Sequence, residues 1–145
     1  MVAQLVYPAT RKDLIPPINL SVRAERDRLS SDAIRAFFNI MKRWEIRDAD
    51  ARQLLGGMSN GAFYTLKKNP DRALGEDRLR RISYLVGIFK ALNILYSEKL
   101  ADRWIQLSNK NRIFSDDTPL AYMMKGGLPA FQTVRRLLDA RRGGH

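Results

Sequence analysis

The chain has no cysteine, and its one histidine, His145, is the last residue. Disulfides, zinc fingers and thiol nucleophiles are therefore excluded, and a terminal histidine reads as exposed rather than as a ligand. No serine stands in a nucleophile-elbow context. Adjacent acids occur at Glu76-Asp77 and Asp116-Asp117. Both pairs fall at expected helix starts, where carboxylates favour the helix dipole, and neighbours in sequence point in different directions on a helix. Long apolar runs are missing too. The most apolar stretch, residues 82–89, lies between Arg81 and Lys90 and is too short for a bilayer. Residues 1–9 lack the basic start of a signal peptide and contain Pro8. No run of strand length alternates with period two. These absences lead us to expect a cytoplasmic protein that is not an enzyme, with no cofactor, no metal and no membrane contact.

Acidic residues are scarce relative to basic ones. Lys and Arg number 26 against 15 Asp and Glu, a net charge of +11 over 145 residues. That imbalance favours an anionic partner, nucleic acid first. A hydrophobic content of 45 % is enough for a core. The expected fold is all-α: a helix-turn-helix DNA-binding bundle followed by a small helical region. The expected divisions are an arm at 1–29, a helix-turn-helix unit at 30–97, and a C-terminal unit at 98–145.

In the arm, Pro8, Pro16 and Pro17 break helices, and Arg11-Lys12 add charge. It reads as a draped extension, or alternatively as a basic arm on DNA or a dimer contact. Ser30 or Ser31 then caps a helix whose Ile34, Phe37, Met41 and Trp44 are spaced 3, 4, 3. Asp48 is the expected cap of a second helix, which Gly56-Gly57 stops, and Ser59 starts a third that Pro70 halts near Lys68. The longest helix is expected at residues 76–96. Leu79, Ile82, Val86 and Phe89 form one apolar stripe and Leu85, Ile88, Leu92 and Leu95 another, so that helix is central or sits in a subunit interface. Ser97 caps a further helix with Leu100, Ala101, Trp104 and Ile105, and a loop follows at 108–115.

Residues 51–68 carry the nucleic-acid argument. Ala51 is small enough for a close helix crossing, the glycines permit a sharp turn, and Met58, Phe63 and Leu66 are spaced to face a core. Ser59 caps the third helix, and its hydroxyl and the adjacent N–H groups suit a phosphate. Asn60, Gly61, Tyr64, Thr65 and Lys68 then point outward, as on a helix that enters the major groove. The Asn60 amide suits the edge of adenine, and Lys67 and Lys68 suit phosphates. A phosphate-cradling loop at Gly56-Gly57 is excluded, because no strand precedes it and no Gly-Lys-Ser/Thr closes it.

The last thirty residues read as two short helices around a glycine hinge. Thr118 caps the first, with Pro119 in its first turn, and Pro129 repeats the start signal. Phe131, Val134 and Leu138 share a face, and Arg135, Arg136, Arg141 and Arg142 cluster late, where cations suit the dipole. So small a unit must bury that face on the rest of the chain, on a partner, or on both.

Taken together, residues 30–144 resemble antitoxins of the Xre/MbcA/ParS type. One part of the resemblance is carried by Leu54-Leu55-Gly56-Gly57-Met58-Ser59, Phe63-Tyr64, Arg81-Ile82-Ser83-Tyr84-Leu85-Val86-Gly87-Ile88 and Lys90-Ala91-Leu92. The other is carried by Trp104-Ile105, Asn109, Phe114, Thr118-Pro119-Leu120, and Gly127 through Val134 to Leu137. Ser108, Leu66 and Thr65 depart from it, standing where such proteins usually have a proline, an aromatic and a basic residue. The resemblance implies a homodimeric repressor that binds operator DNA. It also implies that the C-terminal helices cover the NAD pocket of a RES-domain toxin, an ADP-ribosyltransferase-like protein encoded beside it. Arg135, Arg136, Leu138, Asp139, Arg141, Arg142 and Gly143 are the residues expected to make that contact. The alternative is a free-standing transcriptional regulator whose C-terminal helices serve only dimerisation.

Overall fold

The computed structural model describes residues 23–143; Pro8, Arg11, Lys12, Pro16, Pro17, Gly144 and His145 lie outside them. The fold is all-α, as expected. Seven α-helices make up the described residues: α1 (Arg23–Arg43), α2 (Asp48–Leu54), α3 (Asn60–Lys68), α4 (Glu76–Leu95), α5 (Glu98–Arg103), α6 (Pro119–Gly126) and α7 (Leu128–Arg142). Two 3-10 turns, Trp104–Gln106 and Arg112–Phe114, tighten the connection between α5 and α6.

The first helix begins earlier than expected. Ser30 lies inside α1, fully buried, and its Oγ accepts the Leu74 backbone N–H at 2.9 Å. The boundary placed at 29/30 therefore cuts through a helix. At 21 residues α1 is also one residue longer than α4. The 3, 4, 3 spacing is borne out, for Ile34, Phe37, Met41 and Trp44 are all buried. The end of α1 is closed by Glu45, which takes φ 55°. The Glu45 N–H donates to the Lys42 carbonyl at 3.1 Å and the Ile46 N–H to the Met41 carbonyl at 3.0 Å. That pair of bonds is the Schellman pattern, which satisfies carbonyls left over by the helix.

The other caps follow the local chemistry. Ser59, Ser97 and Thr118 each accept a backbone N–H three residues ahead. Asp48 is not a cap: Arg47 holds that position, and Asp48 pairs instead with Lys67. After α2, Gly56 and Gly57 adopt φ 92° and 87°, which an L side chain rarely tolerates, and the chain reverses into α3. Gly127, at φ 64°, makes the corresponding break between α6 and α7.

The two stripes of α4 explain its position. It packs against α1, α5 and α7, with Leu79, Ile82, Leu85, Ile88, Ala91 and Leu92 buried. One continuous buried cluster runs from Ile34 through α4 to Leu138. The residue 97/98 boundary is thus a change of helix rather than a break in the core. Trp44 and Trp104 belong to that core, at 1 % and 6 % exposure. No helix among the described residues is long and apolar enough to cross a membrane.

Candidate functional site

The exposed face of α3 is built by its own sequence. Phe63 and Leu66 turn inward, and the Phe63 ring meets Phe38 of α1 edge-on at 5.3 Å between centroids. That anchoring leaves Ser59, Asn60, Gly61, Tyr64, Thr65, Lys67 and Lys68 exposed. Ser59 Oγ accepts the Ala62 N–H at 3.2 Å, so its hydroxyl proton remains a donor toward solvent. Tyr64 is 61 % exposed, and the Lys68 ammonium lies 5.3 Å from its ring centroid. Lys67 differs from Lys68: its Nζ pairs with Asp48 at 3.2 Å, which offsets its charge.

Arg72 and Arg78 escaped the sequence reading. With Gly61, Ala62 and Thr65 they line a shallow groove of about 390 Å³ between α3 and the loop that follows it. Arg72 is exposed on that loop. The loop is tied to α1 by Arg35 Nη2, 2.7 Å from Asp71 Oδ1. The Arg35 bond, with a second from Ser31, holds the Asp71 carboxyl below its usual pKa. Arg78 Nε donates to the Leu55 carbonyl at 3.2 Å, and Arg81 Nη1 donates to the Leu54 carbonyl at 3.3 Å. The two guanidiniums supply donors that the end of α2 lacks, at the helix end that favours cations. Their three-residue spacing on α4 was the one sequence signal available.

The C-terminal residues divide. Leu138 is fully buried with Phe131 and Val134. It is therefore a core residue and not a partner contact; its place on the apolar face outweighs its place in the basic cluster. Arg135, a third exposed, lies across Gly87 of α4, and its Nε is 3.0 Å from Asp139 Oδ2. Asp139 also receives Arg142 Nη1 at 3.4 Å. Arg141 Nη1 donates to the Tyr96 hydroxyl at 2.9 Å. Arg136 and Gly143 are exposed. Six of the seven expected contact residues thus reach the surface, and among them Arg135 also carries a packing role.

Three of the four paired acids are engaged in the fold. Glu76 and Asp77 pair with Arg80 and Arg81, each at 2.8 Å, and Asp117 Oδ1 accepts the Thr118 N–H at 2.8 Å. Among the described residues no group of three or more His, Cys, Asp or Glu is placed to hold a metal ion.

No family model matches the chain, and no solved structure matches it. Over 122 residues it is 37 % identical to the uncharacterized protein y4oB of Sinorhizobium fredii, which covers 79 % of this chain and 92 % of the relative. By that identity and coverage, the chain belongs to the same family as y4oB.

Proposed function

We propose that this protein is a homodimeric DNA-binding antitoxin, which represses its own operon through α3 and neutralises a RES-domain toxin through α7. One observation carries the DNA half. The capped helix α3 has its apolar side locked into the core and Asn60, Tyr64, Thr65 and Lys68 facing out, with Arg72 beside them. A helix so mounted, on a chain of net charge +11, suits the major groove. Asn60 reads a base edge, the Ser59 hydroxyl and the helix N-terminus meet a phosphate, and Lys68 and Arg72 meet others. In the toxin half, exposed Arg136, Arg141 and Arg142 enter an anion-binding cleft, with Asp139 holding Arg135 and Arg142 in place.

The test is a salt titration on the protein's own promoter fragment. Lys68→Ala should weaken binding to all sequences and lower the salt slope by about one unit. Asn60→Ala should relax preference at one base position by about 1–3 kcal/mol. If both variants titrate like the parent, α3 does not enter the groove. Co-expression with the neighbouring toxin, with and without residues 135–145, tests the second half; rescue by the truncated chain refutes it.

A free-standing regulator is the second reading. It is favoured by the burial of Phe131, Val134 and Leu138 in the chain's own core, where α7 packs on α4, so these three apolar side chains are not open to a partner. The absence of any adjacent toxin frame would select it.

A further inference from the structure

The face of the bundle formed by α1 and α4 carries a groove of about 650 Å³, lined by Leu29, Asp32, Ala33, Leu79, Ile82, Ser83, Val86 and Lys90. The geometry points to this groove as a self-complementary dimer surface, in which Asp32 of one copy pairs with Lys90 of a second copy, twice, about a two-fold axis. The inference rests on the homodimer in the reading above, not on its DNA or toxin halves.

Three observations select a second copy as the occupant. The first is charge. Asp32 and Lys90 are both exposed, and neither takes part in an ion pair with another described residue. The second is direction. Helices α1 and α4 run side by side the same way: Ser30 meets Leu74 at one end, and Trp44 lies 6.1 Å from Phe89 at the other. Asp32 therefore belongs to the Leu79 end of the groove and Lys90 to the opposite end, about 16 Å away by the rise of a helix. A patch with opposite charges at its two ends matches itself when turned by a half rotation, the condition for an isologous contact. The third is continuity. Val86, Lys90 and Ile94 follow one stripe of α4 at four-residue spacing, and Ile94 is 63 % exposed. Beyond Lys90 the same stripe thus reaches an exposed apolar side chain, so the groove opens onto an uncovered part of α4, which suits a facing helix better than a small molecule.

The test uses the full chain in light scattering after gel filtration, with helicity checked by circular dichroism. The wild type should have twice the 16.7 kDa chain mass. Asp32→Lys alone sets Lys against Lys90, and Lys90→Asp alone sets Asp32 against Asp. Each single variant should keep its helicity and weaken self-association roughly tenfold or more, because like charges face each other twice. An equimolar mixture of the two variants should recover the dimer, since every facing pair is again opposite. A monomeric wild type removes the homodimer of the reading above, and this surface with it. Single variants that stay dimeric, or a mixture that stays monomeric, overturn this surface and leave the DNA and toxin readings standing.

Discussion

Gly87 and Arg135 provide the sharpest test of how the C-terminal helix is held. Gly87 is buried in the middle of α4, where glycine is ordinarily a liability: alanine there is worth about 0.5–1 kcal/mol in helix propensity. A methyl group at this position would stand 2.6 Å from Arg135 Cζ and 3.3 Å from its Nε, so the guanidinium must leave. Its departure ends the pairing with Asp139, worth only about 0.3–0.5 kcal/mol between side chains 33 % and 43 % exposed. It also disturbs the close approach of α4 and α7, an overpacking effect of about 1–3 kcal/mol. Because the displaced atoms are the far end of a flexible side chain, the lower part of that range applies. Gly87→Ala should therefore destabilise by about 0.5–1.5 kcal/mol. Combined with Arg135→Ala the clash is gone and only propensity remains, so the same substitution should stabilise by about 0.5–1 kcal/mol. The assay is urea unfolding of the four proteins of the cycle, followed by circular dichroism. A Gly87→Ala effect of the same sign and size in both backgrounds would refute the argument, and would return Arg135 to a purely surface role.

Three further outcomes follow from single sites. Leu138→Ala should destabilise by about 2–5 kcal/mol in urea unfolding, the range for a buried leucine; a loss under 1 kcal/mol would return this residue to the surface. Ser30→Ala removes the acceptor of the Leu74 N–H in a buried setting and should cost about 1–3 kcal/mol, with faster hydrogen exchange at Leu74 as its local signature. The Asp71 carboxyl is held below its usual pKa by Arg35, so the pair adds stability above the unfolded-state value and loses it as pH falls through the folded-state value. The Arg35→Ala variant should therefore show an Asp71 carbon titration shifted upward by NMR; an unchanged titration would dissolve the Arg35 tie and leave the loop to the Ser31 bond.

What could be read from the chain depended on how far away each side chain's partner lies. Ser59, Ser97 and Thr118 were legible as caps because their hydroxyls meet N–H groups three residues ahead. Ser30 has the same chemistry, but its partner is 44 residues distant, and good helix formers precede it, so it is absorbed into α1. Asp48 failed as a cap for a similar reason, since Lys67 claims its carboxylate. The centrality of α4 was legible because two apolar stripes on one helix call for packing neighbours on more than one side. Leu138 was placed by its spacing in the core and by its basic neighbours on the surface; burial decided for spacing. Of the candidate DNA face, the α3 residues were visible because a single helix presents them. Arg72 joins them only through the path of a loop, which no periodicity encodes.

Arg81 shows how such long-range placement binds the turn after α2 to the start of α7. Its Nε pairs with Asp77 at 2.8 Å, its Nη1 donates to the Leu54 carbonyl, and its Cζ lies 5.9 Å from the Phe131 ring centroid. A Cβ at Gly56 would be 3.3 Å from this guanidinium and one at Gly127 3.6 Å from it, so the side chain lies against both glycine breaks. Its side chain is 16 % exposed, which places the loss on substitution above that of a surface pair. Arg81→Met keeps much of the apolar stem and removes every donor. The Leu54 carbonyl then loses its partner and Asp77 its counter-ion, a destabilisation of about 1–3 kcal/mol. Because one group touches both breaks, hydrogen exchange should quicken together at the turn 55–59 and at residues 126–131. Exchange that rises at one break alone would mean that Arg81 serves that break only, and that the start of α3 and the start of α7 are held independently.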